Sequence, residues 1–206
     1  MYFEAIKAME KHLLRTTQDG FKYMADLKNG RLDEKMDHLA CFAGGMFALT
    51  SMNTEGEESE HYLELGKELT RTCHESYDRT ASKIGPEVMI FRGGRSFTPG
   101  TKAVEKMYIL RPETVESYFY MWRATHDPMY QEWGWSAVQA IEKHCRTDNG
   151  YTGLKNVFDA HPPKDNVQQS FFLAETLKYL YLLFSDDSDI SLREYVFNTE
   201  AHPFPH

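Results

Sequence analysis

The sequence predicts an all-α protein, an incomplete toroid of helical hairpins that carries short β-hairpins. Three observations point there. Apolar residues recur at spacings of three and four in six separate stretches, the period of an amphipathic helix. Three of these stretches, around His38 to Leu49, Tyr118 to Trp122 and Phe171 to Phe184, are nearly apolar all round, which is the pattern of a helix buried on every side. The order charged helix, short extended segment, apolar helix occurs three times, which suggests stacked helical hairpins rather than a single bundle.

The elements follow in order. Helices are expected over about residues 1–16, 37–52, 57–80, 112–126, 129–146 and 168–184, with ends set by Pro, Gly and Asp signals. The first carries Glu4, Lys7, Glu10, Lys11 and Arg15, too many charges for a signal peptide. Nowhere does the chain offer the ~20 consecutive apolar residues that span a bilayer. Gly20 to Ala25, Val88 to Phe91 and Gly150 to Gly153 read as short strands or hairpins with Gly turns. Asp37 suits the N-cap of the second helix. Gly44-Gly45 within that helix costs on the order of 1 kcal/mol per glycine relative to Ala, which signals a close helix approach. The fourth helix opens with Pro112 at a first-turn position. Stretches 57–80 and 129–146 keep charged faces and belong to an outer ring around the apolar three. The hollow axis of such a toroid is a natural ligand site, and an arc of only about three hairpins leaves apolar flanks uncovered.

Composition bounds the function. The 206 residues are 41% hydrophobic and 26% charged, with 23 Lys+Arg against 31 Asp+Glu and a formal net charge of -8. That balance offers no broad basic surface for nucleic acid or anionic lipid. Cys41, Cys73 and Cys145 have no C-x-x-C spacing and no nearby His pair, which disfavours a structural zinc site. One disulfide with one free thiol and three reduced thiols both fit the count.

Carboxylates carry the candidate chemistry. Glu113 and Glu116 are three residues apart, hence on one helix face, where they either complement the helix macrodipole or point toward the opening of the barrel axis. Arg111 beside them favours the second role, since a guanidinium can hold a sugar hydroxyl and keep a carboxylate ionised as a base. Phe171 and Glu175, spaced i,i+4, put a ring and an acid on one face of an apolar run. Burying Glu175 is costly without a partner, and a Glu175–Lys178 pair at the protein rim is the competing reading. His38 enters an apolar stretch, where a histidine by itself is more often a satisfied buried residue than a catalytic one. Phe197 to Pro203 collects hydroxyl, carboxylate and amide oxygens, either a hard-oxygen calcium set or an ordinary terminal turn.

Four strings in order, HLACF from His38, LRPETVES from Leu110, SFFLAETLKYLYLLF from Ser170 and FNTEAHP from Phe197, resemble glycoside hydrolase family 47, the class I α-1,2-mannosidases of the secretory pathway, and within it the Golgi subgroup. The resemblance covers essentially the whole chain. It implies an (α/α)₇ barrel with Ca²⁺ at its base and removal of terminal α-1,2-linked mannose from high-mannose N-glycans with inversion. By motif, Glu113 matches the proposed general base. Arg111, Glu116, Phe171, Glu175 and Glu200 match residues that line the sugar subsite and hold calcium-bound waters. His38 matches a site histidine, Thr199 the direct Ca²⁺ ligand, and Cys41 and Cys73 the family's disulfide pair, as an oxidising lumen allows; Cys145 is left over.

The resemblance also implies that residues 1–206 correspond to the C-terminal half of a catalytic domain about twice as long. The general acid, a further catalytic aspartate, the cytoplasmic tail and the membrane anchor of the family have no match here. The expected reading is therefore an N-glycan-processing mannosidase of the secretory pathway lumen, the Golgi ahead of the endoplasmic reticulum, whose matched half is inactive alone. The alternatives are a calcium-dependent mannose-glycan-binding relative without catalysis and an inactive fragment. Choice of mannose branch would involve the segment from Phe91 to Lys102.

Overall fold

The computed structural model describes residues 1–91 and 97–206, so part of the Phe91–Lys102 segment lies outside the described residues. Helices α2 (Phe42–Met52), α4 (Glu113–Thr125) and α6 (Leu177–Leu183) form an inner row in which α4 touches both neighbours. Helix α3 (Gly56–Asp78) lies against α2 and α4, and α5 (Met129–Cys145) against α4 and α6. The apolar stretches are thus inside and the charged ones outside, as composition predicts, because only the second kind has a polar face to give to water. One core cluster surrounds α4, α5 and α6; a second lies between α2, α3 and the N-terminal strands.

Close approach of α2 and α3 depends on glycine. A Cβ on Gly44 would stand 2.2 Å from Thr70 Oγ1, and one on Gly66 only 3.0 Å from the Gly44 carbonyl. The disulfide Cys41–Cys73, with Cα atoms 5.9 Å apart, links the same two segments. Cys145 is free and buried, and burial pushes its thiol up to about 12, which leaves it unreactive.

The strands are short and pair antiparallel: β1 (Leu14–Thr16) with β2 (Lys22–Met24), β3 (Asp26–Lys28) with β4 (Arg31–Asp33), β5 (Lys35–Asp37) with β6 (Val88–Ile90), β7 (Arg146–Thr147) with β8 (Gly150–Tyr151), and β9 (Tyr195–Phe197) with β10 (Pro203–Pro205). The first helix is shorter than its periodicity predicts. It is α1 (Tyr2–His12), because Leu14 to Thr16 take up the ladder with Lys22 to Met24 instead. The second begins with a 3-10 turn, His38–Cys41, before α2. Asp37 precedes it without a side-chain cap, because its carboxylate accepts from Lys35 Nζ at 3.0 Å.

The last inner helix also departs from expectation. Phe172–Thr176 form a π-helical turn that runs into α6. Its apolar surface is not buried all round: Leu173, Leu177, Tyr181 and Phe184 recur at about one turn and are 60%, 37%, 69% and 46% exposed. Trp135 of α5 meets the Phe184 end edge-on, with ring centroids 6.2 Å apart; the rest of the stripe is the uncovered flank that an open arc implies. Among the described residues no helix is long and apolar enough to cross a membrane.

Candidate active site

Local structure bolts three segments together at one end of the inner row. Pairing of β5 with β6 sets Asp37 opposite Val88, so that the His38 amide donates to the Glu87 carbonyl at 2.9 Å. Ser117 Oγ on α4 donates to the Cys41 carbonyl at 2.7 Å and accepts from the Gly45 amide at 2.9 Å. Thr176 Oγ1 in the π-turn donates to the Leu110 carbonyl at 2.7 Å. Leu110 is fully buried at φ +69°, a left-handed conformation that costs a non-glycine residue on the order of 1–2 kcal/mol; it aims Arg111 and the start of α4.

Pro112, at the N-cap of α4, makes no side-chain cap bond, and of the first-turn acids Glu113 accepts from its own amide. Glu113 is 7% exposed. It accepts from His38 Nδ1 at 2.6 Å and faces Arg111 Nη1 at 3.5 Å. Burial would raise its pKa, but His38, its own amide and Arg111 together outweigh burial and hold the carboxyl below the ordinary range. Arg111 is itself clamped, donating through Nε to both oxygens of Glu87 at 2.9 and 2.8 Å.

Glu116 and Glu175 are each 9% exposed and have no cationic partner among the described ion pairs. Burial, with Glu113 and Glu175 nearby, pushes Glu116 up to about 8 against the opposing pull of the Tyr179 hydroxyl. Burial, then Glu200 and Glu113, push Glu175 up to about 7. The Glu175–Lys178 rim pair is not formed, since Lys178 Nζ donates to the Ala201 carbonyl at 2.6 Å. One buried carboxylate is therefore held ionised beside two whose protonation is raised into the neutral range, the separation of acid and base character that active sites use. Glu175 lies inside the π-turn, with Phe171 half-buried just before it; such turns concentrate at functional sites.

The profile of glycosyl hydrolase family 47 matches residues 1–206. The chain belongs to this family. It is 58% identical over 205 residues to mannosyl-oligosaccharide 1,2-alpha-mannosidase IA of Sus scrofa and 57% identical to mannosyl-oligosaccharide 1,2-alpha-mannosidase IB of Homo sapiens. These alignments cover 100% of this chain but 31% and 32% of the relatives, so the chain spans about a third of their length. Among solved structures, the α-1,2-mannosidase from Trichoderma reesei superposes with a TM-score of 0.86 at 30% identity, over 99% of this chain and 46% of that one.

The calcium implied by the family 47 resemblance finds a compatible place. Thr199 is exposed in a tight turn in which Asn198 Oδ1 accepts from the Glu200 and His202 amides at 2.9 Å each. Its hydroxyl and carbonyl oxygens are hard donors, and the mutual repulsion of Glu175 and Glu200 marks surplus negative charge nearby. No three His, Cys, Asp or Glu side chains gather as a cage among the described residues. The fit is to a hard cation that keeps most of its ligands as water.

The structure thus brings His38, Arg111, Glu113, Glu116, Glu175 and Glu200 into one electrostatic neighbourhood. Sequence reading missed Glu87, Tyr77 and Tyr179. Tyr179 was reachable, being i,i+4 from Glu175 on the same run; Glu87 sits in a connection after Pro86 with no pattern around it.

Proposed function

We propose that this chain carries the base-bearing half of a calcium-dependent, inverting α-1,2-mannosidase that trims high-mannose N-glycans in the secretory pathway, in the Golgi ahead of the endoplasmic reticulum. The observation that carries the reading is Glu113, a buried carboxylate kept ionised by His38 and Arg111. An inverting glycosidase needs such a base to take a proton from the water that attacks the anomeric carbon, and an acid across the sugar at roughly 6.5–9.5 Å.

In this mechanism Glu113 accepts the proton of water, and Arg111 keeps the carboxylate charged until it does. Glu116, protonated near neutral pH, donates to a sugar hydroxyl, and Phe171 offers the ring an apolar wall. Thr199 would hold Ca²⁺, with Glu175 and Glu200 accepting from its waters; the ion supplies a positive anchor for vicinal hydroxyls of mannose. The general acid lies outside these residues, and the exposed stripe Leu173, Leu177, Tyr181 and Phe184 is the face against which the remainder of the toroid closes.

Two measurements test this reading. A high-mannose N-glycan incubated with the pure 206-residue chain should remain intact, while the longer form that carries the acid should release mannose and lose activity by at least about 100-fold on Glu113→Gln. Mannose release by the 206-residue chain refutes the assignment of the acid. Calcium-dependent glycan binding without turnover by the longer form supports the non-catalytic relative instead.

A further inference from the structure

We propose that Tyr77 is a positioning residue that works through His38, its hydroxyl fixing the imidazole in the one tautomer that donates to Glu113. The inference rests on reading Glu113 as the functional carboxylate and names what holds it. Nδ1 of His38 lies 2.6 Å from Glu113 Oε2 and Nε2 lies 2.7 Å from the Tyr77 hydroxyl, with Thr114 Oγ1 a weaker neighbour at 3.3 Å. A carboxylate only accepts, so Nδ1 must carry a proton. The Tyr77 phenol stays protonated, since burial raises its pKa far above neutrality. In the neutral imidazole Nε2 is then bare, so the Tyr77 hydroxyl donates to it, and the chain of donors runs from Tyr77 through His38 to Glu113.

The surroundings leave the imidazole little alternative. His38 is 1% exposed, with its ring 5.8 Å from that of Tyr77 and 6.2 Å from that of Tyr108. The charged groups near it are Glu113 and Arg111 at the start of α4 and Glu87 ahead of β6. Cys41, three residues after His38, is bonded to Cys73, four before Tyr77. The disulfide thus pins the two segments about one turn from the hydrogen bond, so Tyr77 and His38 keep their spacing without help from substrate. A neutral imidazole orients on the bond its second nitrogen makes, and here that second bond comes from a helix of the outer layer.

Long-range ¹H–¹⁵N correlation of the histidines in the ¹⁵N-labelled chain, assigned through His38→Gln, tests this directly. At pH 7 His38 should show a protonated Nδ1 and a bare Nε2. In Tyr77→Phe the ratio of bare to protonated Nε2 should fall about tenfold, the effect of one buried hydrogen bond, and the Glu113 carboxyl midpoint should rise as its donor is shared among tautomers. Thr114→Val should shift the ratio less. A protonated Nε2 in the unaltered chain overturns the proposal, as does a Tyr77→Phe spectrum with both nitrogens unmoved. Should Tyr77→Phe fail to fold by circular dichroism, the unaltered chain and Thr114→Val still decide. The readout is independent of turnover, so it separates failure of this inference from failure of the mannosidase reading.

Discussion

Glu116→Gln should flatten the pH dependence of stability. Glu116 is 9% exposed and its carboxyl titrates near 8 in the folded chain, against an ordinary value of 4.5. With a raised folded pKa, the native state binds a proton that the unfolded state has already released between those two values. Stability must then fall as pH rises through that window and level off above about 8. Each pKa unit corresponds to 1.36 kcal/mol, so between pH 5 and pH 8 this one carboxyl removes about 3–4 kcal/mol of unfolding free energy. Glutamine keeps the shape and does not titrate. Urea unfolding of both chains at half-unit pH intervals, in the presence of a chelator, gives two curves whose separation should widen by that amount toward alkaline pH. Curves that stay parallel from pH 5 to pH 8 would show that Glu116 is hydrated or paired in the folded chain rather than buried without a partner.

Three further outcomes follow from the same geometry. Replacing Cys41 and Cys73 together by Ala should lower stability by about 3–4 kcal/mol, given a separation of 32 residues across the bond and the loop entropy it removes from the unfolded chain; equal urea midpoints for the two chains would contradict it. Gly44→Ala places a methyl 2.2 Å from Thr70 Oγ1 and close to Gly66, and overpacking of this kind should cost about 1–3 kcal/mol in a thermal melt. Thr199→Ala, which removes the hydroxyl and keeps the carbonyl, should weaken calcium binding measured by titration calorimetry while leaving the melting temperature in chelator unchanged; an unaltered affinity would move the site elsewhere.

Much of this was legible in the residues themselves. The layer assignment follows from composition: FFLAETLKYLYLLF cannot be an outer helix, and the charged runs 57–80 and 129–146 cannot be inner ones. Gly44-Gly45 announced a close approach, and α3 supplies Gly66 to meet it. Strand pairing was less legible. Leu14 to Thr16 have a helical period and still pair with Lys22 to Met24, because ladder partners lie outside the local window that periodicity reads. Complete burial of α6 was the wrong expectation, since an apolar run states what a helix can bury and only a neighbour decides which face it does.

The sequence by itself determined the kinds of side chain present and their local spacing: Glu113 and Glu116 on one face, Phe171 and Glu175 on another, Arg111 before the first pair. Tertiary structure alone decided their charge states. Three glutamates of identical intrinsic chemistry separate into one held below its ordinary value and two raised to about 8 and about 7 because only Glu113 meets His38 and Arg111. Those partners arrive from 75 residues away for His38, and for Arg111 through a clamp on Glu87, 24 residues distant. Ionisation depends on the field of neighbours in space and on exclusion of water, and neither is encoded in the spacing of residues along the chain.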